Sequence, residues 1–309
     1  MSSPLASPNR DRAVEALDRA VVAARLGQLQ GETSLVRAED LSGLGPDELR
    51  PRLDQIMLGA FPEAGLDALL STGVLDAVLP EIHALVGFGD GEWRHKDVWK
   101  HTKQVVAQAA PLIEVRWAAL FHDIGKVKTR SISPEGEVHF FGHAEVGARM
   151  FDRLERRMRL FGAEGKLRES IRFLVLHHLR ASQYDRSWTD SAVRRFAREI
   201  GPELDHLLCL SRADITTKRP EKRRRGVALI DELGERISAL AAEDAVVPPL
   251  PSGVGNDIMT AFKLPPSRLI GDIKRALEAA IDSGELESHR ESEFYVAFVA
   301  EHRERYGLK

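Results

Sequence analysis

The chain has 309 residues, 43% of them hydrophobic and 29% charged, with a formal net charge of −3. This ordinary globular balance neither requires nor forbids a nucleic-acid partner. The single cysteine, Cys209, excludes a disulfide framework within one chain and fits a reducing cytosol.

The first residues, "MSSPLASPNRDR", lack the apolar core of a signal peptide. No run approaches the roughly 18 apolar residues that cross a bilayer, so the expectation is a cytoplasmic protein with no membrane partner. Residues 1–12, rich in Ser and Pro, read as a disordered tail. In "GPDELRPRLDQIMLGAF", Leu49, Leu53, Ile56 and Met57 recur at helical spacing on one face. "GLDALLSTGVLDAVLPEIHALVGFG" reads as short helices broken at Gly73 and Pro80. A longer helix starts near "KDVWKHTKQVVAQAA" with Asp97 as its N-cap. "VRWAALFHDIG" is another, with Gly125 placed to end it.

The "PEGE" turn within "TRSISPEGEVHFFG" is the one convincing hairpin signal. Helices are expected over 143–161, 166–180, 189–200, 203–216 and 221–242. Cys209, inside "LLCLS", reads as a buried small hydrophobe. The Pro/Gly-rich "VVPPLPSGVG" is a linker or loop, and capped helices follow, the last closing at Gly284. The fold expected is all-α, a helical bundle with flanking helical segments and one short β-hairpin. Its parts are a helical segment at 13–90, a central domain at 91–242 and a C-terminal helical segment at 243–309.

Ionisable groups interrupt this apolar pattern at particular places. His122-Asp123 ends the run "WAALF", where two polar groups are costly to bury without a partner. His101 sits mid-helix, His143 follows "FFG", His177-His178 follows "LVL", and Asp214 shares a helix face with Leu207 and Leu210. Each alone reads as a satisfied interior residue. Together, five helices each contribute a nitrogen or oxygen ligand, and that pattern points to metal. Imidazole with carboxylate suits Mn, Fe, Co, Ni or Zn, whereas Mg and Ca prefer oxygen alone. His101, His122, Asp123 and Asp214 would hold one ion; His143 and the His177-His178 pair would supply a second, with Asp123 bridging. Two ions about 3.5–4 Å apart can clamp a phosphoryl group and activate water near neutral pH.

The ordered set resembles the HD superfamily of metal-dependent phosphohydrolases. "HKDVWKHT", "ALFHDIGK", "FFGHAEVGA", "HHLR" and "RADITTK" are similar to the HD domain attached to bacterial tRNA nucleotidyltransferases and their poly(A) polymerase relatives. The likeness runs over roughly residues 45 to 290. By the family's register His178 is the better ligand, with His177 additional or supporting. The Gly-Ser turn and Asp-x-Asp pair of the family's nucleotide-adding head have no counterpart in these 309 residues. The resemblance therefore implies hydrolysis, with Asp123 and Lys126 as catalytic residues, and does not carry over nucleotide addition. The "HHExxDGxGYP" signature of cyclic-di-GMP phosphodiesterases is replaced by "HHLRASQYD".

Lys126, Arg180 and Arg212 are candidate partners for substrate phosphate. The run "KRPEKRRR" places Lys222, Arg223, Arg224 and Arg225 as an RNA-backbone candidate. Trp93 and Trp99 read as packing residues more readily than as base-stacking ones, and His83, His95, His139, His206 and His289 as structural. The expected substrates are phosphate esters of nucleotides or RNA ends, including 2′,3′-cyclic phosphates, with tRNA as a further partner. A small-molecule nucleotidase and an RNA-binding module with a structural metal stay open as alternatives.

Overall fold

The structure is a computed structural model that describes residues 8–31, 34–41, 43–88, 97–162, 165–245 and 248–308. Trp93 and His95 lie outside the described residues, as do residues 1–7 of the expected tail. The fold is all-α with one two-stranded hairpin. Two compact units divide the chain, Met1–Ser238 and Ala239–Lys309.

The first unit opens with α1 (Pro8–Leu26), α2 (Pro46–Met57), α3 (Pro62–Ser71), α4 (Val74–Val78) and α5 (Pro80–His83). Helix α1 takes up residues 8–12, which the composition assigned to a disordered tail. One turn further on, Ala13 and Leu17 are fully buried, so folding the helix start is offset by burial of its inner face. The breaks at Gly73 and Pro80 are present: Gly73 adopts φ +80°, a conformation open to glycine, with the site of a Cβ 2.7 Å from the Val36 carbonyl oxygen.

The helices that follow are α6 (Val98–Gln108), α7 (Ile113–Phe121), α8 (Lys126–Thr129), α9 (His143–Met158), α10 (Lys166–His177), α11 (Asp190–Ile200), α12 (Leu204–Asp214) and α13 (Pro220–Ala245), and the division of the units falls within α13. Strands β1 (Ser131–Ile132) and β2 (Val138–His139) pair antiparallel between α8 and α9, Ser131 opposite His139. Helix α7 is buried on every side from Val115 to Phe121, as its continuous apolar sequence demands, and it contacts α2, α6, α10 and α12. Around it stack Trp117, Phe121, Phe151 and Phe161, with neighbouring ring centroids 5.0–5.9 Å apart.

Arg116, on α7, joins that helix to the end of α2 and to the residue after α6. Its buried guanidinium donates to the carbonyls of Met57, at the end of α2, and Ala109, after α6. Beside it the Trp117 indole donates to Asp54, which also accepts from Arg50. Orphan carbonyls at helix ends are costly when buried, so these contacts fix how the segment before residue 90 docks.

Two local expectations need correction. Helix α7 stops at Phe121, before the motif, and Gly125 has φ −67° instead of a left-handed helix end. The glycine is needed for a different reason: a Cβ there would lie 2.0 Å from the His143 carbonyl oxygen. Cys209 is only half-buried, because its position on α12 lies off the face formed by Leu207, Leu210 and Ser211. Asp97 does cap α6, accepting from the Lys100 backbone N–H.

The second unit contains α14 (Val254–Phe262), α15 (Arg268–Asp282) and α16 (Ser292–Glu301) around an apolar cluster that includes Ile258, Leu277 and Val299. Its buried Tyr295 hydroxyl lies within hydrogen-bond distance of the carbonyls of Pro249 and Glu287 and accepts from the Arg290 N–H. No described helix is long and apolar enough to cross a membrane.

Candidate metal centre

Helix ends bring the ionisable residues together. His122 and Asp123 occupy the turn after α7, His143 is the first residue of α9, His178 follows the last residue of α10, and Asp214 is the last residue of α12. Only His101, on α6, projects from within a helix. The close approach at Gly125 sets the start of α9, and therefore His143, against the His122-Asp123 turn.

Asp123 is at the centre and almost fully buried. Its Oδ2 is 3.2 Å from His122 Nε2 and 3.4 Å from His101 Nε2, and its Oδ1 is 3.5 Å from His143 Nε2. Asp214 Oδ1 lies 3.0 Å from His101 Nε2 and 3.6 Å from His122 Nε2. His143 and His178 bring their Nε2 atoms within 3.1 Å. Among the described residues two groups that could hold a metal ion result, His101/His122/Asp123 and Asp123/His143/His178, with the donor atoms of each within 4.8 Å of one another. Donor atoms about 2.1 Å from a shared cation are themselves about 3.0–3.4 Å apart, so the spacing fits a first coordination shell.

The tautomers strengthen that fit. His122 Nδ1 is 2.7 Å from the Ala119 carbonyl, His143 Nδ1 is 2.8 Å from that of Phe140, and His178 Nδ1 is 2.8 Å from that of Val175. A carbonyl only accepts, so each Nδ1 carries a proton and each Nε2 faces inward; in His143 and His178, which burial holds neutral, that Nε2 is a lone pair. The His143–His178 approach therefore sets two lone pairs against each other in a buried space. A cation between the rings satisfies both; a neutral interior leaves them repelling. His101 Nδ1 is paired with Thr216 Oγ1 at 2.9 Å.

Electrostatics divide the cluster. Burial works against ionisation of Asp123, but His122, Lys126 and His101 outweigh it and hold its carboxyl well below the usual range. Asp214 is likewise opposed by burial yet held down at about 2 by His101 and His122. His122 is lowered by burial but raised on balance by the facing Asp123 and Asp214. His178 is pushed down to about 4, by burial first and then by His122. Burial also lowers His143.

The remaining sequence candidates are placed differently. His177 is half-buried against Phe173, ring centroids 4.2 Å apart, and belongs to neither ligand group. Its neighbour His178 points inward because successive residues at a helix end diverge by about 100°. Lys126 Nζ is 2.6 Å from Asp123 Oδ2, inside the cluster. Arg180 pairs with Glu199 and Arg212 with Asp231, and neither makes an ion pair with the six clustered residues among the described ones. In the basic run Arg223 donates to Gln108 and Arg224 to Glu221, while Lys222 and Arg225 are exposed. Trp99 is buried, with Lys103 over its ring.

Sequence reading missed Thr216 and the three carbonyls that fix the imidazoles. Each carbonyl lies three residues before its histidine, a regular signal once the helix end is known; Thr216 carried none beyond its closeness to Asp214.

Residues 98–219 match the HD domain family model. The chain is 31% identical over 264 residues to an A-adding tRNA nucleotidyltransferase of Deinococcus radiodurans, covering 82% of this chain and 58% of that protein. It is 30% identical over 267 residues to a CC-adding tRNA nucleotidyltransferase of Thermus thermophilus, covering 82% of this chain and 56% of the relative. The chain thus spans somewhat over half the length of these relatives. All six clustered side chains fall inside the matched segment, so the chain is an HD-domain protein whose helical body resembles that of tRNA nucleotidyltransferases.

Proposed function

We propose that this protein is a metal-dependent phosphohydrolase acting on nucleotide or RNA-end phosphate esters, as a 2′,3′-cyclic phosphodiesterase, a phosphatase or both. The observation that carries the reading is the set of inward imidazole Nε2 atoms around a buried Asp123 carboxylate. His101, His122, Asp123 and Asp214 would hold one divalent transition metal, Mn, Fe, Co, Ni or Zn, and Asp123, His143 and His178 a second. Such ions supply Lewis-acid polarisation of a phosphoryl oxygen and lower the pKa of water. Asp123 keeps the cluster anionic enough to attract them, and Lys126 provides an ammonium for a non-bridging phosphate oxygen. The tRNA enzymes among its relatives and the exposed Lys222 and Arg225 support RNA ends, tRNA included, as substrates.

Metal analysis of the purified protein, together with a panel of phosphomonoesters and 2′,3′-cyclic phosphates, tests the proposal. Bound transition metal and chelator-sensitive hydrolysis are expected. A metal-free protein, or hydrolysis indifferent to prolonged chelation, would refute it. With CTP, ATP, Mg and a tRNA lacking its 3′ end, this 309-residue chain is expected to give no extension.

A further inference from the structure

Asp214 belongs to a second feature. It also lines, with residues of the following loop and of α13, an open cavity of about 330 Å³, within the size range of small-ligand pockets. Ile215, Leu229 and Ile230 give it an apolar wall, while Thr217 and Lys222 add a hydroxyl and an ammonium-bearing side chain. Gly226 helps to keep it open: a Cβ there would come within 3.1 Å of Ile215 Cδ1, so α13 meets this loop without a side chain between them.

From this juxtaposition we infer that the cavity receives the nucleoside adjoining the reacting phosphate, a base and ribose whose phosphate lies at the metal cluster. The inference rests on the phosphohydrolase reading of that cluster. Its chemistry is specific. A base has two apolar faces and needs a wall such as Leu229 and Ile230. Ribose hydroxyls need partners such as Thr217, and an anionic ester gains from Lys222. Because Asp214 pairs with His101 in the cluster and also lines the cavity, the two adjoin at one residue, as the two halves of one nucleotide require. A bare phosphate or a sugar phosphate would leave the apolar wall wet.

Binding of 2′-AMP and of inorganic phosphate to the Mn-loaded full chain tests this, with Leu229→Trp filling the cavity and Lys222→Gln removing the charge. Wild-type protein is expected to bind 2′-AMP at least about tenfold tighter than phosphate, and Leu229→Trp to lose about that factor for 2′-AMP alone. Lys222→Gln, at an exposed position that folding tolerates, should weaken 2′-AMP about threefold and leave helix content unchanged. An RNA octamer ending in a 2′-phosphate separates the two sources of this ligand. Tighter binding than 2′-AMP, with the same loss in Leu229→Trp, identifies RNA ends; equal or weaker binding identifies mononucleotides. A folded Leu229→Trp with wild-type 2′-AMP affinity overturns the pocket, as does 2′-AMP binding no tighter than phosphate. If Leu229→Trp does not fold, unchanged 2′-AMP affinity in Lys222→Gln overturns it. Nucleotide binding lost in Leu229→Trp without hydrolysis of any ester would refute the hydrolase reading and keep the pocket. Ester hydrolysis with no gain from a nucleoside would do the reverse.

Discussion

The two halves of the cluster share Asp123 but differ in charge and burial. His101 and His122 face two carboxylates, Asp123 and Asp214, and His101 and Asp214 keep side-chain exposures of 12% and 28%. Among the described residues His143 and His178 share a ligand group with one carboxylate, Asp123, and His178 is 2% exposed. The first half is therefore the stronger anionic trap and the more open one. The second depends on neutral imidazoles that burial holds ready, His178 at about 4. A cation should enter and stay more readily in the first half, and leave the second first.

The largest effect should come from removing what the halves share. Asp123→Ala is expected to release metal from both and to lower hydrolysis by about 10³-fold or more, with helical circular dichroism retained. Metal content equal to wild type in this variant would mean that the carboxylate does not bridge.

Next come changes that separate the halves. His178→Ala or His143→Ala should lose one ion of two while His101, His122 and Asp214 keep the other, with activity down about 100-fold. Anomalous scattering from crystals reads this directly. One fully occupied peak at His101 and Asp214 in the unaltered protein would reduce the comparison to a single-ion site.

A smaller effect is expected where the halves are held against each other. Gly125→Ala places a methyl where the His143 carbonyl already is, so the start of α9 must move. Overpacking of this kind costs about 1–3 kcal/mol, and denaturant midpoints measure it. The variant should also lose metal from the His143/His178 half before the other. Equal loss from both would show that Gly125 does not set their separation.

The smallest effect concerns the surface beyond Asp214. Replacing Arg223, Arg224 and Arg225 by Glu should lower oligonucleotide turnover several-fold and flatten its salt dependence, with mononucleotide turnover nearly unchanged. Equal effects on both substrates would favour a small-molecule nucleotidase and leave the cluster intact.

Much of this arrangement is legible along the chain, because His122-Asp123 and His177-His178 end apolar runs in which a lone polar group is costly. The breaks at Gly73 and Pro80, the cap at Asp97 and the PEGE hairpin follow from local backbone chemistry and appear where expected. Local reasoning fails for Gly125, which looked like a helix end. Its requirement is a contact with His143, 18 positions away in sequence, that no local pattern encodes.

The sequence by itself determined the helical class and which residue types were available for metal chemistry, since apolar periodicity and donor chemistry are properties of short stretches. Only the tertiary structure decided which of them converge. It turned His178 inward and set His177 against Phe173, paired Arg180 with Glu199 and Arg212 with Asp231, and placed Lys126 on Asp123. It also fixed the histidine ring orientations through backbone carbonyls three residues before each of His122, His143 and His178. The physical reason is that direction and partnership depend on how helix ends meet around α7, and that meeting is set by the packing of residues far apart in the chain.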